Sequence, residues 1–324
     1  MTAPGTIELI DVPEPGLTPG AAGGEILFEP ELACLCGSDL PFFTINGEWG
    51  QPEVGHSLHE MIGRVVETSG SKFKPGQRVL AVPEFQLGLF ERYVLSEQRA
   101  IPLDPRVPDE QAVMAQPLGT VLFALKKLPN LLDLDVAIVG AGPIGQLYCA
   151  CVRSLGAREI ISIDRLPSRL EAARKMGATA VINPDEEKPE SALRQITGGS
   201  LADVVIEAVG HQNQQFNACI RLCRYGGRIL YFGVPPETVD GIQWRDLFRK
   251  NLTVHTSVEP DFDRDFPLAM RFIAEKRIDV SPIITHRYPL AKIQDAFDLF
   301  HSREDGALKV LIDFPAGESR RNGN

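Results

Sequence analysis

Two different spacings of apolar residues divide this chain. Up to about Val121 the apolar residues come in short runs, such as 63–67 and 77–81, broken by turns like Lys74-Pro75-Gly76. Runs of that length among many Gly and Pro residues predict short β-strands. From about Leu122 the pattern changes. An apolar stretch at 136–139 leads into a Gly-rich turn and then a helical pattern through Cys149 to Leu155. A strand at 160–163 follows, then a helix over 168–176, and 180–182, 204–206 and 228–232 continue the alternation. Apolar strands alternating with amphipathic helices predict a doubly wound parallel sheet. Residues 252–256 are the candidate edge strand of that sheet. Beyond Glu259 a helix is predicted over 266–275 and a strand-helix-strand over 281–314, with a polar, frayed tail from Ala316.

The expected class is therefore α/β: a β-rich part over 1–121, a doubly wound part over 122–259 and a C-terminal segment over 260–324. A length of 324 residues suits two domains better than one core. The formal charge of −10 repels nucleic acid and acidic membrane surfaces, so neither is an expected partner. No apolar run approaches a membrane span, and the N-terminus has no basic-then-apolar leader, which points to the cytoplasm. Six cysteines, at 34, 36, 149, 151, 219 and 223, form neither a secreted disulfide framework nor a C-x-x-C zinc site. The last four read as buried apolar side chains.

Gly140-Ala-Gly142-Pro143-Ile144-Gly145 fits G-x-G-x-x-G, directly after an apolar strand and before a helix. Glycines there let the backbone turn tightly and approach a pyrophosphate, whose charge the helix N-terminus meets. Asp164 closes the next strand, where an acid binds the adenosine ribose hydroxyls and repels the 2′-phosphate of NADP. NAD is the expected cofactor. Arg165 and Arg169 complete the candidate cofactor set, and Arg165 could soften the preference.

Further motifs carry a resemblance. Cys36-Gly-Ser38-Asp39 resembles the C-G-T/S-D element of the zinc-dependent alcohol and polyol (sorbitol-type) dehydrogenases, a branch of the medium-chain dehydrogenases/reductases. The run from Gly55 through His59-Glu60 to Gly63 resembles that family's G-H-E-x-x-G signature. Lys74 to Val79 resembles the turn that follows, Gln116-Pro-Leu118 the E-P-L element, and the stretch from Ile284 to Leu290 the I-T-H-R-x-P-L segment. The resemblance implies a GroES-like β-rich catalytic domain made from 1–121 and 260–324, a Rossmann NAD-binding domain over 122–259 inserted between them, an active site in the cleft between domains, and a homodimer or homotetramer. It also implies one catalytic zinc held by Cys36, His59 and Glu60. Thiolate, imidazole and carboxylate donors suit zinc and leave a position open for substrate or water. The family accommodates adjacent His and Glu ligands by local backbone distortion. Asp39 would hydrogen-bond His59 and fix its tautomer, and Ser38 would take the proton from the substrate hydroxyl.

The chain departs from the family in three places. Gln116 replaces a charged ligand; as a neutral amide it would hydrogen-bond a metal-bound water instead. The four-cysteine structural zinc lobe is missing between Val82 and Val94, so no structural zinc is expected. Pro41 stands where many alcohol dehydrogenases have a proton-relaying histidine, with His56 a weak substitute. Phe42, Phe43, Glu48 and Trp49 fall in the segment that lines the substrate cleft in relatives, although aromatics in a β-rich domain are commonly core.

Three readings follow. The first is a zinc- and NAD-dependent dehydrogenase of a secondary alcohol such as a polyol, sugar or cyclitol. The second is a zinc-free NAD(P)H-dependent quinone or enone reductase of the same superfamily, against which Cys36, His59 and Asp164 count. The third is a non-catalytic dinucleotide-binding protein, favoured only by Gln116.

Overall fold

A computed structural model describes residues 1–45, 51–210 and 214–315. They form two compact units: 1–117 with 261–275 and the segment from 284 onward, and 118–260 with 276–283. The sequence pattern set its changes at 121/122 and 259/260. The segment 276–283 differs from that reading because its 3₁₀ turn, Ser281–Ile283, packs against the helix Pro167–Lys175 of the second unit.

The first unit is built on a seven-stranded sheet. Its strands are β1 (Glu25–Cys34), β2 (Glu60–Thr68), β3 (Arg78–Ala81), β4 (Tyr93–Ser96) and β5 (Ala100–Pro102). The C-terminal return adds the sheet's last two strands, which belong to the strand-helix-strand segment read in the sequence. Its main path runs Ile284–Pro289, Lys309–Asp313, β1, β2, β3, β5, and β4 pairs with β1. The helix Ile293–Ser302 lays Ile293, Phe297 and Phe300 into a core with Phe28, Phe43 and Met61. The alternating apolar positions of these short strands thus form one buried face.

The second unit is the expected parallel sheet. It comprises β6 (Asp135–Val139), β7 (Glu159–Ile163), β8 (Ala180–Ile182), β9 (Ala202–Glu207), β10 (Cys223–Tyr231) and β11 (Thr253–Thr256). Their order is β11-β10-β9-β6-β7-β8, all parallel. Strands β6, β7 and β9 read as nearly continuous apolar runs because helices cover both faces. The order reverses between β6 and β9, which is where open α/β sheets form their ligand crevice. Strand β11, the sequence's candidate edge, is an edge strand. With β12 as Ile284–Pro289 and β13 as Lys309–Asp313, the two sheets account for all thirteen strands among the described residues.

Among the described residues no helix is long and apolar enough to cross a membrane.

Candidate active site

Strand register brings the metal-ligand candidates together. Strand β1 lies between β2 and β13, with Cys34 opposite Glu60 on one side and Leu311 on the other. Cys36 follows two residues beyond the end of β1, and His59-Glu60 open β2 at the same end of the sheet. Donor atoms of Cys36, His59 and Glu60 all lie within 4.8 Å of one another. The backbone distortion that neighbouring His and Glu donors require sits at Leu58, which is fully buried and holds a left-handed φ of 66°. A non-glycine residue takes that conformation only when its surroundings fix it. Here the Leu58 N–H donates to Asp39 Oδ1 at 3.0 Å, and Gly88 leaves no room for a side chain because a Cβ would stand 2.2 Å from the Leu58 carbonyl oxygen.

Asp39 is buried in the 3₁₀ turn Gly37–Asp39. Its Oδ2 accepts from the Cys36 N–H at 2.7 Å, so one carboxylate ties the Cys36 turn to the His59 segment. The sequence reading had Asp39 hydrogen-bonded to His59. Instead Oδ1 stands 3.8 Å from His59 Nδ1, because both carboxylate oxygens are already engaged by backbone N–H groups. His59 Nδ1 is buried without a hydrogen-bond partner. Ser38 is half-buried beside Cys36, and Gln116 is buried in the first turn of the helix Ala115–Leu125.

Lys309, at the start of β13, was not foreseen. Its ammonium donates to both oxygens of Glu60, at 2.6 Å to Oε1, and to the Leu35 carbonyl at 3.3 Å. Neither side chain of the pair reaches solvent. Burial pushes the Glu60 carboxyl up, while the Lys309 ammonium against its oxygens favours the carboxylate. Burial disfavours the Lys309 ammonium too, but Glu60 and the Cys34 and Cys36 thiols outweigh it and hold Lys309 protonated. A carboxylate has about four lone-pair sites, so pairing with Lys309 leaves Glu60 able to serve a metal. The signal was present in the sequence: a lone lysine inside the apolar run from Ala307 to Phe314 needs a buried partner.

The donor set fits zinc: soft thiolate, imidazole with an unmet ring nitrogen, and carboxylate, on fixed backbone. Beside it opens a cavity of about 390 Å³ lined by His59, Phe42, His56, Gln86 and Arg99 among others. The His56 ring stacks on Phe42, with centroids 4.4 Å apart, and its Nδ1 accepts from the Glu53 N–H at 2.6 Å. Burial holds His56 below the usual histidine range, against the opposing Glu53 carboxylate. Phe43 faces the core instead, against Phe297 at 5.1 Å. Glu48 and Trp49 lie outside the described residues.

The dinucleotide motif occupies the end of β6. Gly140 has φ 98°, and the helix Pro143–Ser154 starts from Gly142. A Cβ on Gly145 would lie 1.9 Å from the Gly140 carbonyl oxygen, so this helix packs onto its turn only without a side chain there. Ile144 is half-buried in the first helical turn. Asp164 Oδ2 accepts from the Ala141 N–H at 2.8 Å and Oδ1 from the Leu166 N–H at 2.9 Å. Arg169 Nη1 stands 3.9 Å from Asp164, whereas Arg165 turns to Asp185 at 2.9 Å. Glu207, buried at the end of β9, was also missed. It accepts from the Val209, Gly210 and Gly233 N–H groups and shapes the loops after β9 and β10.

Comparisons with known proteins agree with this geometry. The family model for the alcohol dehydrogenase GroES-like domain matches residues 22–102, and that for the zinc-binding dehydrogenase matches 143–275. The chain is 29% identical to an L-threonine 3-dehydrogenase of Vibrio parahaemolyticus, over 94% of each chain. Among solved structures it resembles the alcohol dehydrogenase TADH from Thermus sp. ATN1, with a TM-score of 0.84, 26% identity and coverage of 95% and 97% of the two chains. A short chain alcohol dehydrogenase (rspB) from E. coli CFT073, complexed with NADH, shares the fold at TM-score 0.81 and 23% identity, over 96% and 97% of the two chains.

Proposed function

We propose, for a chain that belongs to the zinc-type alcohol dehydrogenases of the medium-chain dehydrogenase/reductase family, a zinc- and NAD-dependent oxidation of secondary alcohols such as polyols, sugars or cyclitols. The observation that carries this reading is the convergence of Cys36, His59 and Glu60 beside an open cavity.

In the proposed reaction the carbinol C–H electron pair leaves as hydride for the nicotinamide, the O–H proton goes to protein, and a ketone remains. A zinc ion held by Cys36, His59 and Glu60 would supply the Lewis acidity that makes an alcohol acidic near neutral pH. Ser38 Oγ receives the hydroxyl proton and passes it toward solvent. Asp39 fixes the Cys36 and Leu58 backbone so that the donors keep their spacing. Gln116 supplies a neutral polar group without adding charge, and Lys309 offsets one negative charge of the donor set. Both choices lower the net negative charge around the metal, which strengthens its pull on substrate oxygen and weakens its retention.

NAD is favoured over NADP by Asp164 at the end of β7, backed by Gly140, Gly142, Pro143, Ile144, Gly145, Arg165 and Arg169. One zinc per chain, a cytoplasmic setting and self-association through β11 belong to the same proposal. Six cysteines present as free thiols support the setting, and the unpaired edge of β11 supports the association.

The test follows NADH formation with a panel of polyols, sugars and cyclitols, with L-threonine added because a relative is named for it. Activity with at least one secondary alcohol, abolished by chelation and restored by zinc, supports the proposal. Turnover that survives zinc removal, or quinone reduction in its place, overturns it.

A further inference from the structure

Among the described residues that line the cavity beside the donor cluster, Arg99 is the one with a permanent charge. The rest of that lining is aromatic, aliphatic, amide and imidazole, and burial disfavours the charged form of His56. Arg99 leaves the 3₁₀ turn Glu97–Arg99 and is clamped in place. Nε donates to the Val82 carbonyl at 2.9 Å, Nη2 donates to the Pro83 carbonyl at 3.3 Å, and the guanidinium lies over the Phe262 ring at 4.8 Å. Those two bonds use the side-on edge of the guanidinium. The end-on edge, formed by Nη1 and the second Nη2 proton, makes no hydrogen bond among the described residues, and Arg99 forms no ion pair there either. A guanidinium always carries its charge and presents a planar fork matched to carboxylate or phosphate oxygens. Beside it, Gln86 follows Phe85 through two left-handed residues, φ 52° and 58°, and Gln86 Oε1 is buried without a hydrogen-bond partner. Backbone strain on non-glycine residues next to an unmet polar atom is what a preformed ligand contact looks like.

A second concavity, of about 470 Å³ on the parallel-sheet unit, sets its cations Arg194, Arg221 and Lys250 beside the carboxylates Glu190 and Asp246. Its Arg221 is paired with Glu190 at 2.7 Å, and Lys250 caps the Ile220, Arg221 and Cys223 carbonyls.

We infer that the substrate is a secondary alcohol bearing an anionic group, a carboxylate or a phosphate, which the end-on edge of Arg99 binds. The inference rests on the proposed dehydrogenase function for its reaction but not for its binding site.

The experiment has two arms on the full-length, zinc-replete protein. In the first, kcat/KM is compared within matched pairs: sorbitol against sorbitol 6-phosphate, and butan-2-ol against 3-hydroxybutyrate. A charge-assisted pair predicts a preference of about ten- to a hundredfold for one anionic member, and the pair that shows it distinguishes phosphate from carboxylate. The preference is expected to vanish in Arg99→Gln, mainly through KM, and to return in part in Arg99→Lys, which keeps the charge. In the second, methyl phosphate and acetate are titrated into the NAD-saturated protein, so that the dinucleotide site is already filled. Binding of either probe, weakened about tenfold or more in Arg99→Gln, supports the anion site even if every alcohol is inert, in which case the dehydrogenase proposal fails alone. Neutral members turned over as well as anionic ones, or both probes binding wild type and Arg99→Gln alike, overturns the inference and leaves the dehydrogenase proposal standing.

Discussion

Lys309 places its ammonium against both carboxylate oxygens of Glu60, and neither side chain reaches water. The pair joins β13 to β2 across the end of β1, so the C-terminal return of the chain reaches the metal-ligand candidates through it. A buried ion pair is weak evidence of stabilisation in itself, but removing one partner is costly because the other is left uncompensated.

Lys309→Met is therefore expected to destabilise the fold by about 3–5 kcal/mol in chemical denaturation. Adding Glu60→Gln to that variant is expected to recover a large part of the loss. Strictly additive single and double variants would show that the two groups are not energetically coupled.

His56 gives the stability of the catalytic unit a pH dependence. Burial lowers its folded-state value, so an unfolded chain takes up the proton first as pH falls. The stability from neutral His56 is fully present above about pH 6.5 and is lost as pH falls from there through the folded value. His56→Phe keeps the stack on Phe42 and removes that proton. Denaturation midpoints measured across this range are expected to fall less steeply with acid in the variant, and parallel profiles would refute the assignment.

Asp164 braces the dinucleotide turn through the Ala141 and Leu166 N–H groups, and in the proposed function it is the residue that favours NAD over NADP. Asp164→Ala is expected to weaken NAD binding about tenfold, or about 1.4 kcal/mol. NADP is expected to gain relative to NAD, since the charge that repels its 2′-phosphate is gone. Titration of both cofactors checks this, and an unchanged ratio between them would mean that another residue sets the preference.

Much of the fold was legible because periodicity reports burial directly. The runs at β6, β7 and β9 are apolar throughout because helices cover both faces, and the glycine turn at Gly140 follows from backbone crowding at Gly145. The donor cluster was legible only through spacing: nothing in composition says that Cys36 and His59 meet, and it is the pairing of Cys34 with Glu60 that brings them to one place. What escaped was long-range. Lys309 lies 249 positions from Glu60, and only the register of β13 on β1 joins them. The Asp39–His59 contact was expected as a hydrogen bond, yet the N–H groups of Cys36, in the same turn, and of Leu58, next to His59, claimed both oxygens, a competition that spacing does not reveal. Gln86 reaches the cavity through a left-handed conformation at Phe85 and Gln86 that no residue type there announces, and Arg99 reaches it from a separate turn, Glu97–Arg99.

The central claim is that Cys36, His59 and Glu60 hold a catalytic zinc, and metal content tests it most directly. Elemental mass spectrometry of the purified wild type and of Cys36→Ser, each dialysed after exposure to zinc, is the measurement. The account predicts about one zinc per chain in the wild type, with the metal lost from Cys36→Ser together with alcohol oxidation. A wild type that retains no zinc, or a Cys36→Ser variant that keeps it, would contradict the account.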